Sequence, residues 1–145
     1  MAMKTIFDER NIRLQAVFSN KEEAIRAAGQ ILVDNAYVDA DYIDDMLARE
    51  KAVSTYIGNS VAIPHGLSES KNRIENSGIS FVQVPQGVEF EGGVARLIIG
   101  IAGKDNEHLE ILGKIAMVCT EEENIEKLVQ AQTKQEILSI FKELS

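Results

Sequence analysis

The 145-residue chain is poor in the residues that mark several protein classes: one cysteine, two prolines, two histidines and no tryptophan. A single thiol, Cys119, closes no internal disulfide, which excludes the small disulfide-stapled scaffolds and suits a reducing compartment. No apolar run approaches the ~20 residues of a membrane-spanning helix, and the N-terminus has no signal-peptide core, so a cytoplasmic protein is expected. Cations are outnumbered, 15 Lys and Arg against 23 Asp and Glu, for a formal net charge of −8. Such a surface repels phosphate backbones and anionic lipids, which argues against nucleic-acid binding and membrane docking and favours a partner with a basic face. There is no Gly-rich phosphate loop, nucleophile-elbow Gly-x-Ser-x-Gly or dinucleotide fingerprint. The two histidines stand far apart with no Cys-rich or His-x-x-x-His spacing, so neither a metal nor a cofactor is expected.

What is present is ordinary globular composition, 45% hydrophobic and 26% charged, enough for one core and one domain over residues 1–145. Ile12, Leu14 and Ala16 alternate with polar residues and predict a strand extending to Phe18. Ser19-Asn20 followed by Glu22-Glu23 predicts a capped helix with Ala24, Ile25, Ala28, Ile31 and Leu32 inside, ending at Asn35. Asp39 or Asp41 is expected to cap a second helix with an Ile43, Met46, Leu47 stripe and Arg49-Glu50-Lys51 at its C-terminal end. Residues 68–76 predict a polar loop and 78–84 a strand. Val84-Pro85-Gln86-Gly87 predicts a turn, with 88–90 running back alongside and a second turn at Glu91-Gly92-Gly93. Val94 to Ala102 is almost unbroken apolar sequence, as in a central strand covered on both faces. Asp105 is expected to cap a helix bearing Leu109, Leu112, Ile115, Ala116 and Cys119. Thr120 to Glu123 opens another with Ile125, Leu128 and Val129, and Thr133 with Glu136 opens the last, with Ile137, Leu138, Phe141 and Leu144. Strands interleaved with helices predict a single α/β domain with a mixed sheet.

The chain is organised around Glu50, six residues, then Ile57-Gly58-Asn59-Ser60-Val61-Ala62-Ile63-Pro64-His65-Gly66. Val61 to Ile63 suits a buried strand, and Pro64, having no N–H, is expected to stop its ladder. His65 then stands at a strand end on a rigid lead-in, where α/β proteins place reacting groups, although an isolated Pro-His-Gly also fits a plain surface turn. His108 falls just after the central strand in the first turn of the next helix, where unpaired N–H groups and the helix dipole favour an oxyanion. Arg49 offers a planar guanidinium able to grip a phosphoryl group through two hydrogen bonds. His65, His108 and Arg49 are the candidate catalytic residues. Cys119 shares a stripe with Leu112 and Ile115 and reads as a buried structural thiol.

This pattern resembles, without departure, the active-site signature of type 2 enzyme IIA domains of the bacterial phosphoenolpyruvate-dependent sugar phosphotransferase system. The likeness covers nearly the whole chain. Lys21 to Arg26, Met46 to Lys51, Asn106-Glu107-His108 and Phe81 to Val88 are similar to stretches of the mannitol-specific members. The resemblance implies a mixed, about five-stranded sheet flanked by helices. It implies that His65 takes a phosphoryl group on Nε2 from the Nδ1 phosphohistidine of HPr and passes it to a cysteine of enzyme IIB. It places His108 and Arg49 along the site. Attack requires an unprotonated ring nitrogen, so the other nitrogen must be held as a donor, by a backbone carbonyl on this reading. A fructose-type enzyme IIA, a nitrogen-related regulatory phosphoprotein and a two-histidine metal hydrolase are the competing readings. With no IIB-like Cys loop and no membrane segment in the sequence, a free-standing IIA component is expected.

Overall fold

The structure is a computed structural model that describes residues 6–104 and 107–141. The cap expected at Asp105 and the apolar contact expected of Leu144 lie outside the described residues. Asn20 starts the first helix as its sequence predicts. Its side chain accepts the N–H of Glu23 at 3.0 Å, and the Glu23 carboxylate reaches back to the N–H of Ser19 at 2.7 Å. This cap opens α1 (Lys21–Asp34), which buries Ala24, Ile25, Ala28 and Leu32 and ends at Asn35. Helix α2 (Tyr42–Ala52) buries Tyr42, Met46 and Glu50, one residue per turn, with Ile43 and Leu47 flanking that line. Asp41 makes no capping bond there; the Asp39 carboxylate instead accepts the N–H of Asp41 at 3.0 Å.

Five strands, β1 (Ile12–Arg13), β2 (Tyr56–Gly58), β3 (Val61–Ala62), β4 (Gly78–Phe90) and β5 (Gly93–Ala102), form one sheet in the order β1-β4-β5-β3-β2. β1 with β4 and β3 with β5 are parallel; β4 with β5 and β2 with β3 are antiparallel, so the sheet is mixed. β5 lies at its centre and its alternate residues feed two cores. Leu97, Ile99 and Ile101 pack with Ile111, Ile115, Leu128 and Ile137 from α3 (Glu107–Cys119), α4 (Glu122–Gln130) and α5 (Lys134–Ile140). Ile98 and Ala102 pack on the other face with Ile25, Ala28 and Met46 from α1 and α2. The result is an α/β domain with helices on both faces of the sheet.

Several local expectations are corrected. The segment Val84–Gly87 is not a hairpin turn: β4 runs through it, and its register with β5 slips between Gln83 and Val88. A bulge absorbs Pro85, which has no N–H for a regular ladder. The hairpin turn lies at Glu91-Gly92, between the paired Phe90 and Gly93. β1 is shorter than its alternation predicts, because Gln15 sits at φ 53° and kinks the chain, although the Ala16 N–H still reaches the Gln83 carbonyl at 2.9 Å. The expected loop after residue 68 holds a 3-10 helix, Ser68–Arg73, tied to α2 by Ser70 Oγ and Arg73 Nε, which donate to Asp45 Oδ2 at 2.7 and 2.9 Å. Helix α3 presents Ile111, Ile115 and Cys119 to the sheet and leaves Leu109 and Ala116 exposed. α4 begins at Glu122, without a side-chain cap, whereas Thr133 caps α5 by accepting the Glu136 N–H at 3.3 Å.

Candidate functional site

The residues from Glu50 to Gly66 fold as one hydrogen-bonded unit. Glu50 Oε1 accepts the N–H and the hydroxyl of Thr55 at 2.8 and 2.6 Å, fixing the chain as it leaves α2. Its other oxygen, Oε2, is buried without a hydrogen-bond partner, and the nearest cation is Lys21, 3.7 Å away. The chain continues through β2 and turns at Asn59-Ser60, both at positive φ (52° and 68°), as a tight hairpin between right-twisted strands requires. It returns as β3, where the Ile63 N–H donates to the Thr55 carbonyl at 3.0 Å. Pro64 does not end the pairing with β5 as predicted: it lacks an N–H, yet its carbonyl accepts the Ile101 N–H at 2.9 Å, and His65 pairs with Ile101.

His65 Nδ1 lies 2.7 Å from the Ile63 carbonyl oxygen. A carbonyl only accepts, so Nδ1 carries the ring proton and Nε2 keeps its lone pair. This is the backbone group the sequence could not identify. His108, the second residue of α3, is brought close because the chain turns sharply after β5. A Cβ on Gly103 would fall 2.4 Å from His108 Cα, so only glycine fits that approach. The rings of His65 and His108 stand 5.3 Å apart, centroid to centroid, tilted by 59°.

An open cleft of about 340 Å³ is lined by both imidazoles with Tyr42, Arg49, Gly66, Leu67, Lys71, Ile74 and Gly103. Arg49 is held there by its Nη1 donating to the Val53 carbonyl at 2.6 Å. Burial pulls His65 below the ordinary imidazole range and Arg49 adds to this, against opposite pulls from the Ile63 carbonyl and Glu50. His108 is lowered by burial first and by His65 second. Near pH 7 both rings are therefore neutral. A neutral imidazole with a free Nε2 beside fixed cationic and N–H donors can attack an electrophile whose charge those donors receive.

The structure thus brings His65, His108 and Arg49 to one cleft. Cys119 lies away from it, buried, its thiol pushed up to about 12 by burial. Sequence reasoning missed Tyr42 and Lys71 as cleft residues and gave Glu50 no task. Tyr42 carries a readable signal, since Tyr42, Met46 and Glu50 form an i, i+4, i+8 line on α2. Lys71 carries none, being one exposed lysine in a polar stretch. No group of His, Cys, Asp and Glu among the described residues is arranged to hold a metal ion.

A mixed sheet between helical layers, with an Nδ1-anchored imidazole beside its central strand, defines a recognisable class. The chain belongs to the family described as phosphoenolpyruvate-dependent sugar phosphotransferase system, EIIA 2, whose model matches residues 5–144. It is 55% identical over 141 residues to the mannitol-specific phosphotransferase enzyme IIA component of Geobacillus stearothermophilus, covering 97% of each chain. The Bacillus subtilis protein of the same description is 50% identical, with 97% of this chain and 99% of that one covered. Among solved structures, the complex of enzyme IIAMTL and phosphorylated enzyme IIBMTL from Escherichia coli matches with a TM-score of 0.90 and 39% identity. That match covers 94% of this chain and 97% of the other.

Proposed function

We propose that this protein is the phosphocarrier between HPr and enzyme IIB in mannitol uptake, with His65 as the phosphoryl acceptor. The observation that carries the reading is the 2.7 Å contact of Nδ1 with the Ile63 carbonyl, which leaves Nε2 as the nucleophile. The lone pair of Nε2 attacks the phosphorus of phospho-HPr. The new N–P bond forms as the HPr Nδ1–P bond breaks, and the released HPr ring keeps that electron pair. The transferring group is loosely bonded, with charge on its three equatorial oxygens. Arg49 and His108 receive that charge, and Lys71 adds a third donor at the same cleft. In the second step an enzyme IIB thiolate attacks phosphorus, and the electron pair of the N–P bond returns to Nε2. The proton stays on Nδ1 throughout, donated to the Ile63 carbonyl, so neither step moves a proton on this ring. The mannitol assignment is supported by what the relatives at 55% and 50% identity are described as doing. The proposed role implies a cytoplasmic setting. No helix among the described residues is long and apolar enough to cross a membrane.

Incubation with phosphoenolpyruvate, enzyme I and HPr is expected to add one phosphoryl group, acid-labile and alkali-stable, to the peptide containing His65. His65→Ala should take up none. Undiminished labelling of that variant would remove His65 as acceptor.

A further inference from the structure

His65 pairs in parallel with Ile101. A parallel ladder through that pair calls for two bonds, Ile101 N–H to the Pro64 carbonyl and Gly66 N–H to the Ile101 carbonyl. The first is present at 2.9 Å. The second is replaced. Gly66 N–H donates to Tyr42 Oη at 2.9 Å, and that hydroxyl donates to the Ile101 carbonyl at 2.8 Å. A phenol oxygen is inserted into the ladder one residue past His65, with both donor and acceptor capacity used. Two bonds in series hold the Gly66 nitrogen farther from β5 than a direct bond of about 2.9 Å would.

We infer that Tyr42 is a positioning residue for phosphoryl transfer: its hydroxyl, wedged between Gly66 and Ile101, splays the chain off β5 directly after His65 and so sets where Nε2 meets the incoming group. The inference rests on the reading of His65 as acceptor. Three further observations agree with it. The ring reaches the backbone because residue 66 has no side chain; a Cβ there would lie 2.6 Å from Tyr42 Cε1. Burial pushes the hydroxyl up to about 12, so it remains a donor at any working pH. Tyr42 also opens the helix that delivers Arg49 two turns later, so one side chain ties the arginine's helix to the histidine's strand.

Tyr42→Phe keeps the packed ring and removes only the wedge. Gly66 and Ile101 then either close on each other or lose their partners, and His65 moves in both cases. The test uses full-length protein with 15N-labelled histidine, compared for His65 ring shifts, melting midpoint and the kinetics of transfer from phospho-HPr. Ring signals of His65 are expected to move and kcat per folded molecule to fall roughly ten- to hundredfold, as small misplacements of reacting groups do, with KM for phospho-HPr nearly unchanged. Wild-type kcat and wild-type ring shifts would overturn the inference, whether or not the variant melts earlier. Failure of the unaltered protein to become phosphorylated on His65 would instead overturn the reading beneath it, and is seen before the variant is made.

Discussion

At the residue scale, the two imidazoles are set by burial to be neutral, and this has consequences with a definite sign. In the unfolded chain both titrate near ~6.5, whereas both are lowered in the folded protein. As pH falls through that value the unfolded state takes up protons first, so the stability these groups allow is full above ~6.5 and is lost as pH drops toward their folded values. A double His65→Gln, His108→Gln variant is therefore expected to lose less stability than the wild type between pH 7.5 and about 5, as read by denaturant midpoints. Acceptor activity should likewise persist to more acid pH than free imidazole would allow. Phosphorylation reverses the balance at His108. A phosphoryl dianion on its neighbour favours the imidazolium, so the His108 pKa, followed by NMR, is expected to rise in the phosphorylated protein. His108→Ala should still accept the group but pass it on about a hundredfold more slowly, the usual cost of one lost donor. Arg49→Lys keeps the charge and loses the fork, so it is expected to recover only part of what Arg49→Ala loses. Full recovery would show that a point charge suffices.

At the element scale, the signature from Glu50 to Gly66 acquires a physical meaning that its letters alone do not carry. The glutamate pins Thr55, Asn59-Ser60 form the hairpin turn, and the returning chain supplies the Ile63 carbonyl that holds the histidine. The motif and its histidine were legible in the sequence; the hairpin was not, because Asn59-Ser60 at positive φ reads as mere spacing between apolar stretches. The burial of Tyr42 was readable from its line with Met46 and Glu50, but its place in the cleft was not. It meets Gly66 across 24 residues of chain, through a packing of α2 that no local pattern encodes. The α1 cap and the central strand were legible because caps and unbroken apolar runs are local signals. The phase of α3 was not. Leu109, Ile111, Leu112, Ile115, Ala116, Met117 and Val118 offer apolar stripes on several sides, and only the sheet decides which is covered. That decision can be checked by urea unfolding. Ile111→Ala, at 2% exposure, is expected to cost ~2–5 kcal/mol. Leu109→Ala, at 73%, is expected to stay within about 0.5 kcal/mol. The reverse order would put the helix in the phase its sequence first suggests.

At the scale of the whole molecule, the cleft is open, and on the proposed reading its Nε2 of His65 must be reached by two protein partners in turn. Its surroundings suit a transient encounter. Val53, whose carbonyl holds Arg49, and Leu109, next to His108 in the chain, are exposed apolar residues on a body of net charge −8. Apolar contact then provides adhesion, while the long-range field draws in a basic partner and is weakened by salt. If the protein hands its phosphoryl group to enzyme IIB as proposed, any preference for mannitol is a preference for a particular enzyme IIB, expressed through that rim. The phosphorylated protein is expected to donate faster to a mannitol-type IIB than to a fructose-type IIB from the same cell, measured as single-turnover transfer at matched ionic strength. The difference should lie in productive encounter, so raising the salt should slow both reactions if the two IIB faces are comparably basic, and the ranking should survive. Equal rates, or faster transfer to the fructose-type partner, would leave the phosphohistidine mechanism intact and remove mannitol as the sugar this protein serves.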